Sequence, residues 1–148
     1  MTKLSASALP HDVADEIRRQ LRIAHEYESV SDCIDNLERL DEKMRQHGSD
    51  VSSNFHNDIT ELSNCTQSVL KEINTSLRTK EQDALKEFAS VRERVRFQIK
   101  ELRSKQLEEL TKAGGPPSVT SIVLSILNGY AHLFSHFENI VEALSGEA

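Results

Sequence analysis

The sequence predicts an all-α fold, an antiparallel bundle of four long helices, and two observations lead to it. The chain of 148 residues has only five Gly and three Pro, too few for the turns of a β-sandwich or barrel. These breakers are also concentrated at Pro10, Gly48–Ser49 and Gly114–Pro117, so the segments between them are long. We therefore expect an N-terminal tail over residues 1–10 and a single domain over residues 11–146.

The first two predicted helices cover about residues 11–47 and 50–79. In each helix the apolar residues recur at helical spacing and form one seam. In the first helix the seam comprises Val13, Ile17, Leu21, Val30, Ile34, Leu37 and Leu40. In the second helix the seam comprises Phe55, Ile59, Leu62, Thr66, Val69, Ile73 and Leu77.

The third and fourth predicted helices cover about residues 81–112 and 118–145. A turn is expected near Arg78–Gln82, because one helix from Asp50 to Lys112 would be about 95 Å long at 1.5 Å per residue. The third helix has a dense charged face, which we interpret as a solvated surface. Ser118 is the predicted N-cap of the fourth helix, whose apolar side includes Ile126, Leu133 and Phe137.

Composition also limits the partners and the compartment. The formal net charge is −6, which argues against nucleic acid as a partner because phosphate backbones are bound by an excess of Lys and Arg. A membrane-spanning helix needs about 20 consecutive apolar residues, and no such run is present. Cys33 and Cys65 lack the spacing of a zinc site, so we interpret them as free thiols of a reducing compartment.

The first and fourth helices resemble each other when the sequence is shifted by 103 positions. The aligned pairs are Ile23 and Ile126, Tyr27 and Tyr130, Val30 and Leu133, Ile34 and Phe137, Asp35 and Glu138, Asn36 and Asn139, and Leu37 and Ile140. A register shared over four turns indicates an internal duplication of a helical unit.

One pair of carboxylates on the first helix has a spacing suited to a ligand. Glu28 and Asp32 are four residues apart, so both point from one face of the helix. Two carboxylates at this spacing repel each other, and a hard cation bound by oxygen ligands would relieve the repulsion. An ordinary acidic surface is the alternative interpretation.

The segment from Ile17 to Leu37, with Glu28, Asp32 and Asn36 at successive intervals of four, resembles the third helix of a PhoU-type repeat. It is most similar to the repeat that follows the membrane domain in bacterial sodium/phosphate cotransporter family proteins, and the resemblance extends from Val13 to Leu144. It implies a regulatory or interaction module and not an enzyme. The module would be cytoplasmic, at the inner face of the cell membrane, with the transporter domain of the same parent chain as its partner.

The resemblance also implies metal binding, by iron or another divalent or trivalent ion, with Glu28, Asp32 and Asn36 as the matching residues. The second copy departs from this motif, since Ala131 and Ser135 replace the two acids.

His132 and His136 lie four residues apart on the fourth helix. They are further candidate metal ligands, because imidazole suits transition metals, or they are ordinary surface or partly buried histidines. Two other functions stay open. One is histidine phosphotransfer through either side chain, and the other is a structural bundle that forms a homodimer through the apolar face around Val30, Ile34 and Leu37.

Overall fold

The chain forms four long helices that pack together as an all-α four-helix bundle, which confirms the predicted fold class. The computed structural model describes residues 10–47, 51–81, 83–114 and 116–146. Its helices are α1 (His11–Gln46), α2 (Ser53–Thr79), α3 (Phe88–Ala113) and α4 (Pro117–Leu144), with a short 3₁₀ turn at Asp83–Leu85 between α2 and α3. Within the described ranges, no helix combines the length and the apolar character needed to cross a membrane.

The helix ends show where local sequence signals were sufficient and where they were not. The α2 helix ends at Thr79, inside the predicted turn region, and Lys80 follows it in the left-handed conformation with φ 61°. Glycine is the usual residue at this position, so the end of this helix carries no sharp stop signal in the sequence. The α3 helix ends at Gly114 with φ 63°, where glycine does mark the end.

One predicted helix start and one predicted N-cap are wrong, and one predicted break falls outside the described residues. The third helix begins at Phe88 and not near residue 81, because the 3₁₀ turn intervenes. The fourth begins at Pro117 with Pro116 as its N-cap, so Ser118 is not the cap. Proline suits the first helical position, where no N–H is required. The predicted break at Gly48–Ser49 lies outside the described residues.

The α4 helix is the centre of the core and packs against all three other long helices. Its fully buried residues include Leu127 and Phe137, and the rings of Phe134 and Phe137 meet edge to face with centroids 5.3 Å apart. The predicted seam of α2 faces this core from Phe55 to Ile73, with Phe55 and Leu62 completely buried, whereas its last residue, Leu77, is 42% exposed. Burial of these side chains is the main source of stability in such a bundle.

The α1 and α4 helices form an antiparallel pair. Arg22 of α1 donates to Glu142 of α4 over 3.2 Å, and further along the pair Leu37 packs against Gly129. With this pairing, the first turns of α1 extend beyond the end of α4 at Leu144. The first part of the predicted α1 seam is wrong: Val13, Ile17 and Leu21 are 40%, 45% and 65% exposed. At about 100° per residue they lie about 80°, 120° and 160° around the helix from the buried Ile23, so they are turned away from the core.

The 103-residue register describes the faces of both helices correctly on the inner side. Ile23 and Val30 of α1 are buried, and so are the matching Ile126 and Leu133 of α4. On the side of α4 that faces α3, the match ends. Phe134 is buried against α3, whereas its register equivalent on α1, Ser31, is exposed. The two helices therefore share one buried face and differ on a second face, which is buried against α3 in α4 and exposed in α1.

Candidate functional site

The acidic motif lies on the outward face of α1. Glu28, Asp32 and Asn36 are all exposed and follow one another turn by turn. Further along the helix, the motif continues into a shallow depression lined by Asp32, Asp35, Glu38, Arg39 and Glu42. All of these residues belong to α1, so no other helix supplies a side chain to this depression. We call Glu28, Asp32, Asp35, Glu38 and Glu42 the acidic ridge.

The structure does not assemble the predicted metal ligands into a chelating cluster. In the part of the chain that the structure describes, no three His, Cys, Asp or Glu side chains are placed to hold one metal ion. Glu28 and Asp32 offer two carboxylates on open surface, whereas hard cations such as Ca²⁺ take about six to eight oxygen ligands. An iron or other metal site at Glu28, Asp32 and Asn36 stays a prediction.

The two histidines of α4 lie in different surroundings although they share one side of the helix. His132 is exposed, whereas His136 is half-buried and faces α1. The His136 Nδ1 lies 2.7 Å from an oxygen of Glu26, and the Asn139 amide donates to the other oxygen of Glu26 over 3.2 Å. The carboxylate of Glu26 thus joins α1 to α4 through two side chains.

Glu26 is the polar residue that the sequence prediction missed. Its side chain is only 13% exposed, in contrast to the exposed Glu28 and Asp32. A signal for it exists in the sequence, because Glu26 falls between Ile23 and Val30 at intervals of three and four, on the buried seam. A carboxylate on a buried seam needs hydrogen-bonding partners, and here they are supplied by α4.

A basic groove runs between α3 and α4, with a cavity volume of about 560 Å³. Four cations at intervals of four, four and three line it from α3: Arg92, Arg96, Lys100 and Arg103. The floor includes Val95, Ile99 and Phe134, together with Ala131 and Ser135 of α4. Ala131 and Ser135 are the register equivalents of Glu28 and Asp32. Where α1 presents acids, α4 therefore presents neutral residues beside arginine and lysine.

The cations at the two ends of this groove are held differently. At one end, Arg92 forms an ion pair with Glu138 of α4, and Arg96 lies 3.1 Å from Glu93. At the other end, Arg103 donates to the Asn128 side chain over 2.7 Å. Lys100 forms no ion pair with any residue that the structure describes. The groove consequently carries four cations against two carboxylates and attracts negatively charged groups.

The acidic ridge affects the chemistry of one thiol. Burial raises the pKa of the Cys33 thiol above its usual value, and the negative charge of the neighbouring Asp32 raises it further. Both causes disfavour the thiolate, which is the reactive form. Cys33 is therefore poorly suited to act as a nucleophile at neutral pH.

Comparison with known proteins identified no relative. No family model, no curated protein and no solved structure matches the chain.

Proposed function

We propose that the chain is a cytoplasmic regulatory or interaction module of a sodium-dependent phosphate transporter. Its partner would be the membrane domain of the same parent chain, which would hold it at the inner face of the cell membrane. The observation that carries this proposal is the pairing of α1 with α4. The two helices that share the repeat register lie side by side and antiparallel, with equivalent positions such as Val30 and Leu133 buried in both.

A binding role agrees with the chemistry of the polar side chains. Two of the half-buried carboxylates, Glu26 and Glu138, are each engaged by side chains of another helix, so they act as structural links. Exposed charges of one sign are concentrated on two separate surfaces, the acidic ridge of α1 and the row of cations that lines the groove of α3. Separated surfaces of opposite charge are suited to recognising partners.

The proposal is tested by phosphate uptake in cells that carry the native gene. Sodium-dependent uptake of radiolabelled phosphate is measured with the intact gene and with a gene from which codons 11–146 are deleted. We expect the deletion to change the uptake rate or its response to external phosphate while transporter protein stays in the membrane. Unchanged uptake, or a genomic sequence without membrane helices encoded in the same gene, would refute the proposal.

The metal proposal has its own test, with a matched control on the same helix. We expect iron or another metal to accompany the purified protein and to be lost in a Glu28→Ala/Asp32→Ala variant, as measured by elemental analysis. The control variant, Glu38→Ala/Glu42→Ala, also removes two exposed acids four residues apart from α1 and should keep the metal. Equal metal content in all three proteins, including none, would contradict a site at the motif.

Exposure of His132 in the middle of α4 favours histidine phosphotransfer as a second candidate function. An accessible imidazole suits phosphoryl transfer, whereas the Nδ1 of His136 is already occupied by Glu26. Incubation with a phosphorylated response regulator should label the protein and not a His132→Gln variant. Absence of labelling, or equal labelling of the variant, would exclude this candidate.

Dimerisation through the predicted apolar face would require α1 to separate from α4. Val30 is buried, and Ile34 and Leu37 are half-buried against the core of the same chain. This face is therefore used within the bundle, and self-association has to use another surface.

A further inference from the structure

The basic groove between α3 and α4 is lined by a row of cations. From Arg92 to Arg103 its cations extend over eleven residues, which is about 16 Å along the helix. Phe97 lies at its edge with 65% of its surface exposed. Aromatic and arginine side chains are typical of the residues that contribute most to protein–protein binding.

The acidic ridge has a matching length and the opposite charge. Its carboxylates from Glu28 to Glu42 extend over about 21 Å of α1. The three central carboxylates, Asp32, Asp35 and Glu38, are exposed and form no ion pairs in the described ranges. Among the residues that the structure describes, Arg39 is the one cation lining the depression in this ridge. Two helical surfaces of similar length and opposite sign are thus present on one chain.

The contact between α3 and α4 shows how such surfaces can meet. Glu138 of α4 pairs with Arg92 and lies 3.9 Å from Arg96 of α3. Its register equivalent on α1 is Asp35, which presents the same kind of acid at the same position of the repeat but faces outward. Because α1 and α3 are separated by α4 and α2 in the bundle, the ridge cannot reach the groove of its own chain.

We propose that the acidic ridge of one copy docks against the basic groove of a second copy, giving a head-to-tail association of this chain. The interface pairs Asp32 and Asp35 of one protomer with the Arg96 and Lys100 region of its partner, and Phe97 is covered in the process. Such an interface joins two different surfaces, so it forms rings or open chains and not a symmetric dimer. The proposal does not depend on the transport function.

The experiment uses sedimentation velocity of the purified chain over a range of concentrations at about 0.05 M and about 0.5 M salt. A groove variant carries Arg96→Glu and Lys100→Glu, and a ridge variant carries Asp32→Lys and Asp35→Lys. The matched control carries Arg94→Glu and Lys105→Glu. These exposed cations lie eleven residues apart on the opposite face of α3, so the control has the same charge change as the groove variant. Circular dichroism verifies that each variant is folded.

We expect the wild type and the control to associate at low salt and to dissociate at least tenfold more readily at high salt, because exposed ion pairs are screened. The groove variant and the ridge variant should each be monomeric. When the two variants are mixed, the native ridge of the groove variant meets the native groove of the ridge variant, so the mixture should associate although each variant alone does not. A monomeric wild type, association that survives in either variant, or a mixture that stays monomeric would overturn the proposal.

Discussion

Substitution of Gly129 by alanine tests the close packing of α1 against α4. Glycine in a helix interior is about 1 kcal/mol less favourable than alanine, so the change should stabilise an isolated helix. In the bundle, however, a Cβ at this position would lie 2.7 Å from Leu37 Cδ2 and 3.3 Å from Leu37 Cγ. Because Cδ2 is the end of a half-buried side chain, Leu37 can shift to relieve part of this contact, and the overpacking costs about 1–2 kcal/mol. We therefore expect Gly129→Ala to lower the free energy of unfolding by about 0.5 kcal/mol.

The effect of Gly129→Ala on the free energy of unfolding should change sign when the Leu37 side chain is removed. In a Leu37→Ala background the contact no longer exists, so Gly129→Ala should raise the free energy of unfolding by about 1 kcal/mol, the helix-propensity term alone. In an Ile23→Ala background, which alters the same helix pair far from Gly129, the loss should persist. Urea unfolding followed by far-UV circular dichroism measures all these variants. The same effect of Gly129→Ala in the Leu37→Ala protein and in the wild type would refute the packing argument.

Three further substitutions test single features of the structure. Lys80→Gly should raise the melting temperature by about 3 °C, because glycine adopts a positive φ without the steric strain of a side chain. A lower melting temperature in thermal unfolding experiments would contradict this. Asp32→Asn should lower the pKa of the Cys33 thiol, because it removes a neighbouring negative charge. Iodoacetamide should therefore alkylate Cys33 faster at mildly alkaline pH. An unchanged alkylation rate would count against an interaction between Asp32 and Cys33. Glu26→Ala should lower the free energy of unfolding in urea by about 1–3 kcal/mol, because its half-buried partners on α4 lose their acceptor. As the control, Glu28→Ala should change the free energy of unfolding by less than about 0.5 kcal/mol. Equal effects of the two substitutions would contradict the assigned roles.

Local signals were sufficient to predict most of the fold. Helical spacing of apolar residues predicted the seam of α2, and Phe55, Leu62 and Ile73 are buried accordingly. The approximate place of the turn after α2 followed from a limit on helix length. Its exact form did not, because the exposed Lys80 ends the helix in the left-handed conformation, with its N–H donating to the Ser76 carbonyl, and no glycine signals this position.

The candidate site was less predictable than the fold. Spacing alone identified Glu28 and Asp32 as a pair on one face, and the structure does place both on the exposed side of α1. Spacing could not show that Glu26 would meet His136 and Asn139, since these residues are more than a hundred positions apart. It also could not show that the charged face of α3 would form one wall of a groove.

The sequence by itself determined the helical class, the approximate helix lengths and most of the inward faces of α2 and α4, because these depend on the periodicity of neighbouring residues. Tertiary structure decided which helices lie side by side and how far each is shifted along its neighbour. That shift brings Leu37 against Gly129 and Glu26 against His136. It also keeps the acidic ridge of α1 apart from the basic groove of α3. The reason is physical: complementary packing between helices distant in the chain fixes these relations, and no local pattern encodes them.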